Sequence, residues 1–465
     1  MYTIMKKSHF IKLACVFILS GCNTENFLDL KPESALVEEN YFKTTAEVET
    51  GVLNIYDALQ KVVPAEIQLT ELRSDNISPA NLEGEWAAIE NFNETPSNDF
   101  VNTFWVTSYA TVARCNIVLK YLPNVTEANK KAEFEGEAKF VRALQFFNLV
   151  RLFGDVPMPL TSVEVDDEKS LARVASATVY QQIVADLLVA ESNLPVKWDA
   201  AYLGRATKGA AQALLAKVYL TQKNYAGAKD LLETVIASKN YQLRPNYADV
   251  FSPGAEMNNE IIFAIRYRSA ANGEGQGFSY DFSKDGATRG LKPMSDLLGL
   301  YSNDSKRMAT SVLGSGSDAF VNKFPDAANT GARRDAGTDW IVLRYADVLL
   351  MYAEVLTQLN EAAAVALAPL NQVRERSSLL PLAAADVSTK EGLMAAVENE
   401  RRVELAFENY RWYDLLRWGT AVEAMKKHFN IIGRNVTVED FRLLYPIPQR
   451  DIDLSKGIIK QNPGY

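Results

Sequence analysis

The sequence has few cysteines and almost no histidine, and this scarcity excludes several kinds of chemistry. Among 465 residues there are three cysteines and two histidines. His9 falls in an N-terminal leader, so the processed chain would keep only His428, which excludes a metal site built from several histidines. A Ser-His-Asp triad would depend on that single residue, in the lysine-rich segment AMKKHFN, and a core or surface histidine is the simpler interpretation. We therefore expect no metal and no cofactor.

Positive charge is also scarce. The chain has 49 Lys and Arg against 58 Asp and Glu, a net charge of −9 at pH 7. Contacts with nucleic-acid phosphates need an excess of Lys and Arg on one face, so this balance argues against a nucleic-acid partner.

The first 21 residues are typical of an export signal. Three lysines precede an apolar run at 13–19, which is too short to span a bilayer permanently. The segment LSGC (19–22) resembles the bacterial lipobox, in which the cysteine becomes the first mature residue and receives lipid. We therefore expect acylation of Cys22, which would hold the protein at a membrane. Asn23 after it favours the outer membrane, and the alternative is an ordinary secretory signal with an incidental cysteine.

With Cys15 removed and Cys22 acylated, Cys115 would be the only free thiol. No disulfide could then form within the chain. Cys115 lies in a helical pattern and is interpreted as a small buried hydrophobe.

Most of the chain has helical periodicity. Residues 99–122 and 133–153 place apolar side chains near helical spacing, and the two runs stop at Pro123 and Gly154. The segment ATKGAAQALLAKVYLTQKNYAGAKDLLETVI (206–236) predicts two short helices packed through small residues, as in tetratricopeptide repeats. A weaker copy follows at 344–373, and further pairs are expected because each unit buries its apolar face against a neighbour.

The composition changes at 250–340, where Gly, Ser, Asn and Asp collect around one strand-like run, EIIFAIRYR (260–268). Loops on a rigid scaffold commonly carry binding function, so a ligand surface is expected here. NGEGQG (272–277) lacks the Lys-Ser/Thr of a phosphate loop, and DFSKDG (281–286) falls short of a calcium loop.

The segment ENERRVELAFENYRWYDLLRWG (398–419) is expected to form a helix clamped between neighbours. Its charged side chains recur three or four residues apart, as in a network of ion pairs. Only a glycosidase, which needs just two carboxylates, survives as a catalytic alternative, and structural pairing is favoured over it.

The resemblance to a known family rests on three C-terminal segments and two upstream ones. The segments are IVLRYADVLLMYAEVLTQLN (341–360), ENERRVELAFENYRWYDLLRWG (398–419), YPIPQRDIDLSKGIIKQNPGY (445–465), CNTENFLDLKPES (22–34) and DLLGLYSNDSKRMA (296–309). In their order along the chain these segments resemble the SusD/RagB family of outer-membrane glycan-binding lipoproteins.

The resemblance implies a mainly all-α fold, with about four tetratricopeptide-like helix pairs and an irregular loop-rich insertion. Residues 22–465 would form a single body, with helical scaffold at 33–245 and 341–465 and the ligand-binding, loop-rich part at 246–340. It also implies a non-catalytic protein on the cell surface that captures oligosaccharides and delivers them to a SusC-like TonB-dependent transporter. The alternative is a tetratricopeptide-type scaffold lipoprotein that faces the periplasm, and a helical glycoside hydrolase comes third.

Sugar binding calls for an aromatic ring to stack on a pyranose and polar groups to meet its hydroxyls. Four tryptophans are expected in the core: Trp105, Trp340, Trp412 and Trp418. Trp86 differs, because it lies in the polar segment RSDNISPANLEGEWAAIENFNET (73–95).

In the family, ligand aromatics come from a loop early in the first helical region and from the loop-rich insertion. By region, the resemblance implies ligand contacts for Trp86 in the first place and for Tyr280 and Phe282 in the second. The polar partners expected beside Trp86 are Arg73, Asp75 and Asn81. The residues do not specify which glycan is bound.

Overall fold

The computed structural model describes residues 41–79, 83–162, 171–270, 273–284, 291–326 and 335–465. In these ranges the helices are α1 (Thr45–Thr70), α2 (Gly84–Glu90), α3 (Asp99–Tyr121), α4 (Ala128–Phe153), α5 (Ser176–Asn193), α6 (Lys208–Thr221), α7 (Tyr225–Ala237), α8 (Phe278–Phe282), α9 (Ser295–Leu300), α10 (Ser305–Ser311), α11 (Tyr345–Gln358), α12 (Ala363–Arg376), α13 (Lys390–Glu404), α14 (Arg411–Trp418), α15 (Ala421–Ile431) and α16 (Gln449–Leu454). The strands are β1 (Ile77–Pro79), β2 (Val156–Pro157), β3 (Arg173–Val174), β4 (Ile261–Ile265), β5 (Leu291–Pro293), β6 (Val312–Leu313), β7 (Phe320–Val321) and β8 (Trp340–Arg344).

Four helix pairs form the scaffold of the described chain. The pairs are α1 with α3, α4 with α5, α6 with α7, and α11 with α12. Each pair also packs on the next, through α3 on α4, α5 on α6 and α7 on α11. This succession is the stacking by which helical repeats bury a continuous core. The expectation of a mainly helical, tetratricopeptide-like fold is confirmed.

Local sequence explains where these helices begin and how closely they pack. Thr44 caps α1 in a capping box with Glu47. Asn224 caps α7 by accepting the Gly227 N–H at 3.1 Å. A Cβ atom at Gly227 would meet the ring of Tyr219 at 3.0 Å, so the small residue allows the turn between α6 and α7 to close.

The loop-rich part contains short antiparallel strand pairs. The predicted strand at 260–268 is confirmed as β4, which pairs with β8. β1 pairs with β5 in the register Ile77↔Pro293 and Pro79↔Leu291. Through β1 and β5, the segment that follows α1 is joined to the loop-rich part.

The motif at 398–419 does not form one helix, so that prediction is wrong. Helix α13 ends at Glu404, and α14 begins at Arg411. Between them Phe407 and Asn409 adopt left-handed backbone conformations, with φ of 68° and 62°. A left-handed residue cannot continue a right-handed helix, so the chain turns here.

The C-terminal tail is docked on the body. The Asn462 side chain donates to the carbonyl oxygens of Phe153, at 3.0 Å, and Tyr445, at 2.7 Å. The Tyr465 hydroxyl donates to Glu94 Oε1 at 2.8 Å. The tail therefore ties the end of the chain to the end of α4 and to the segment between α2 and α3.

Candidate functional site

Trp86 lies on the short helix α2 and is half-buried. Its ring packs edge-to-face on Phe100 of α3, with 5.6 Å between ring centroids. The other end of α2 is fixed, because the buried carboxylate of Glu90 accepts from Ser78 Oγ at 3.3 Å and lies 3.0 Å from His428 Nε2. Packing on Phe100 thus holds the indole of Trp86 in place, while part of the ring stays accessible to solvent.

Tyr280 lies on α8 and is also half-buried. Phe278 and Phe282, one helical turn apart, point into the core against Phe324, with ring centroids 5.6 and 5.2 Å away. Phe282 is 1% exposed, and this burial disfavours the ligand contact predicted for it. Of the two predicted aromatics in this segment, Tyr280 is the one that reaches the surface.

The fold brings the two predicted ligand regions to one small sheet. Helix α2 packs on β1, helix α8 packs on β5, and β1 pairs with β5. Trp86 and Tyr280 are therefore carried by helices that flank the same strand pair. We call the area formed by Trp86 and Tyr280 the Trp86 surface.

Arg73 lies inside the protein. Its guanidinium is fully buried, makes a bidentate ion pair with Glu94 at 2.8 and 3.0 Å, and lies 4.2 Å from the ring centroids of both Phe92 and Tyr445. This arrangement favours a structural role, because every face of the guanidinium meets protein.

Asp75 is likewise buried and paired. Arg411 donates to its two oxygens at 2.7 and 2.9 Å, and Arg402 lies 3.3 Å away. Burial alone would favour the neutral acid, but the hydrogen bonds and charges of these arginines hold the pKa of Asp75 at about 2. Its 5% exposure leaves little surface for a ligand. Asn81 and Cys22 lie outside the described residues.

The structure also bears on the thiol of Cys115, on metal binding and on membrane-spanning helices. Cys115 is fully buried on α3, and burial raises the pKa of its thiol. In the part of the chain that the structure describes, no cluster of His, Cys, Asp and Glu side chains could hold a metal ion. Among the same residues, no helix combines the length and apolar character needed to cross a membrane.

Of the four tryptophans expected in the core, three are buried: Trp105, Trp340 and Trp412. Trp418 is half-buried at the end of α14, so the expectation is wrong for this residue. Gly419, which directly follows Trp418, was the available sequence signal that Trp418 lies at the end of a helix. In the structure Gly419 ends α14 in a left-handed conformation.

The stacked helix pairs define a helical-repeat protein, with Trp86 and Tyr280 half-exposed beside one strand pair. Two family models match the chain: the SusD family over residues 295–465, and a family described as starch-binding and associating with the outer membrane over residues 26–220. The chain belongs to the SusD family of glycan-binding proteins. Because proteins of this family are non-catalytic, the expectation that the chain is not an enzyme is confirmed.

Curated relatives and solved structures agree with this assignment. SusD-like protein P2 of Formosa agariphila is 28% identical, over 99% of this chain and 100% of the relative. A SusD-like protein of Bacteroides ovatus is 25% identical, over 92% and 85%. A laminarin-binding SusD-like protein superposes with a TM-score of 0.75 at 25% identity, covering 91% of this chain and all of the other. Surface glycan-binding protein A of Bacteroides fluxus, at 23% identity, shares the fold with a TM-score of 0.80 over 90% of this chain and 99% of the other.

Proposed function

We propose that this protein is a cell-surface lipoprotein that captures an oligosaccharide at the Trp86 surface and delivers it to a TonB-dependent transporter. The observation that carries the proposal is the placement of Trp86 and Tyr280, both half-exposed, beside one strand pair in a SusD-like fold. Acylation of Cys22 would keep the protein at the outer membrane, in keeping with the outer-membrane association of the matching family.

The relatives and the geometry support a neutral glucan as the ligand. One similar structure is of a laminarin-binding protein, and one matching family is described as starch-binding. Laminarin and starch are both neutral glucans. An exposed indole offers the apolar face that a pyranose ring needs, and it does not require an acidic sugar.

The first experiment is affinity electrophoresis of the protein starting at Asn23, in gels that contain laminarin, soluble starch or polygalacturonate. We expect retardation by one neutral glucan. Retardation by polygalacturonate alone would contradict the neutral class. Unretarded migration in all three gels would favour the alternative, a scaffold lipoprotein that faces the periplasm.

Trp86→Ala should weaken binding to the retarding glycan by about 1–3 kcal/mol, because it removes a stacking surface. Trp198→Ala is the matched control, since Trp198 is another half-buried tryptophan whose Nε1 donates to the Ala206 carbonyl at 2.7 Å. Isothermal titration of both variants makes the comparison. Equal affinities in the two variants would move the site away from Trp86.

Location and partner are tested in cells of the source bacterium. Cleavage of the protein by protease added to intact cells supports exposure on the cell surface, and protection supports the periplasmic alternative. Cys22→Ala should release the protein from membranes. Co-purification with a TonB-dependent transporter from detergent extracts tests delivery, and its absence would contradict that step.

A further inference from the structure

Trp418 lines a groove of about 410 Å³ between α11, α13, α14 and the start of α7. Tyr225, Gln358, Glu391 and Met394 line the same groove, which we call the Trp418 groove. We propose that the Trp418 groove is a second carbohydrate-binding site, which takes a neutral oligosaccharide. It shares no lining residue with the Trp86 surface, and it rests on the proposed function only for the class of ligand.

The indole of Trp418 is held in one orientation. Its Nε1 donates to Glu354 Oε1 at 3.0 Å, and Glu354 is 1% exposed. Arg417 makes a bidentate ion pair with the same carboxylate, and its guanidinium carbon lies 4.6 Å from the Trp418 ring centroid. A half-exposed aromatic that is already fixed loses little side-chain freedom when a ligand stacks on it.

Polar groups around this ring match sugar hydroxyls. Among the described residues, no hydrogen-bond partner is found for the Tyr225 hydroxyl. This hydroxyl interacts electrostatically with the charged groups of Glu354 and Arg417. Within the part of the chain that the structure describes, the Gln358 amide nitrogen donates only to the weak acceptor Met394 Sδ, at 3.3 Å. A phenol and an amide can each donate to and accept from a sugar hydroxyl.

The charges of the groove favour a neutral ligand. Arg417 pairs with Glu354 and Arg411 pairs with Glu398 at 3.1 Å, which leaves Glu391 and Lys223 as one charge of each sign along the walls. The groove therefore has no net charge that would attract an ionic glycan, which suits a neutral one.

The groove also has room for more than one sugar. Past Ala395, Glu398 and Thr420 it continues into a polar cleft of about 970 Å³ between α13 and α15. Volumes of about 300–1,000 Å³ are typical of ligand sites, so the two parts together suit a chain of sugars. Two separate sites on one protein would raise its avidity for a long polysaccharide.

The test is ¹⁹F NMR of protein that carries 5-fluorotryptophan, titrated with laminarihexaose, maltohexaose and cellohexaose. Single Trp→Phe variants assign the signals of the six tryptophans. We expect one sugar to shift the Trp418 signal in a saturable way, and to do so also in Trp86→Ala. The buried Trp412 should not respond and serves as the internal control.

Tyr225→Ala should weaken saturation of the Trp418 signal at least tenfold and leave the Trp86 titration unchanged. Tyr225→Phe, which removes only the hydroxyl, gives a milder test if the alanine variant fails to fold. A Trp418 signal that stays fixed with all three sugars overturns the inference, whatever Trp86 does. A shift of Trp418 without any shift of Trp86 would support the second site and count against the Trp86 surface.

Discussion

At the scale of single residues, Glu71 is a carboxyl group enclosed by protein directly after α1. Its Oε1 accepts the Asn409 N–H at 2.6 Å, and its side chain is buried. Burial raises the pKa of Glu71 to about 8, against 4.5 for an ordinary Glu. The folded protein therefore keeps this carboxyl protonated at neutral pH, whereas the unfolded chain does not.

The sign of the resulting pH dependence follows from linkage. Between pH 4.5 and 8 the folded state binds one more proton at Glu71 than the unfolded state, so stability falls as pH rises. Glu71→Gln removes this titration. We expect the stability difference between variant and wild type to shift in favour of the variant by roughly 3 kcal/mol from pH 5 to pH 8. Urea unfolding at several pH values measures it, and parallel curves for the two proteins would contradict it.

The buried ion pairs of Arg344 lead to a second prediction at this scale, on the free energy of unfolding. Its buried guanidinium donates to Glu408 at 2.7 Å, to Glu404 at 2.6 Å and to Glu260 at 3.0 Å. Arg344→Met would leave buried carboxylates without their partner, so we expect a loss of about 3–5 kcal/mol in the free energy of unfolding.

Lys61→Met is the matched control for Arg344→Met. Lys61 forms an exposed pair with Asp57 at 3.4 Å, and exposed pairs contribute about 0–1 kcal/mol. Urea unfolding measures both variants. Equal losses in the free energy of unfolding of the two variants would show that burial of the Arg344 ion pairs does not add to stability.

The polar stretch after α1 shows why single-residue roles near the site were hard to predict. Composition pointed to Trp86, and the structure places this residue at the surface. Arg73 and Asp75 carry the same polar signal but are buried, because their partners Glu94 and Arg411 lie 21 and 336 residues away. A sequence shows that a side chain is charged, but not which distant group will neutralise it.

At the scale of elements, periodicity was a good guide where one helix packs on its sequence neighbour. Small residues predicted the α6–α7 pair because they allow close packing. The break between α13 and α14 was missed, since the charged periodicity of the motif continues through it. Asn409 was the available signal, as asparagine tolerates the left-handed conformation better than most residues.

This break yields a prediction at the same scale. Asn409→Val places a β-branched residue at a φ of 62° and should lower the free energy of unfolding by about 1–3 kcal/mol. Asn409→Gly, the matched control, keeps the turn at little cost because glycine adopts this conformation freely. Urea unfolding of both variants separates the two effects. A valine variant as stable as the glycine variant would mean that the backbone here is not strained.

At the scale of the whole molecule, one network of buried charges joins the loop-rich part to the helix pairs. Arg307 of α10 and Arg344 of β8 both reach Glu404 at the end of α13, and Arg376 of α12 pairs with the same carboxylate. Glu260, beside β4, pairs with Arg344 and Arg376. Removal of any partner from such a network is costly, so the parts that it connects depend on each other.

The main apolar cluster crosses the same boundary, beside a smaller separate cluster of Tyr247, Val250, Phe251, Ile261, Ala264 and Ile341. One cluster of buried side chains runs from Val48 of α1 through Phe282 of the loop-rich part to Ile459 near the C-terminus. We therefore propose that residues 22–465 unfold as a single body, and we predict one calorimetric transition whose van't Hoff enthalpy equals the calorimetric enthalpy. Arg344→Met should lower the temperature of that single transition. If it instead splits the transition in two, the loop-rich part is an independent unit that the ion pairs merely hold against the helices.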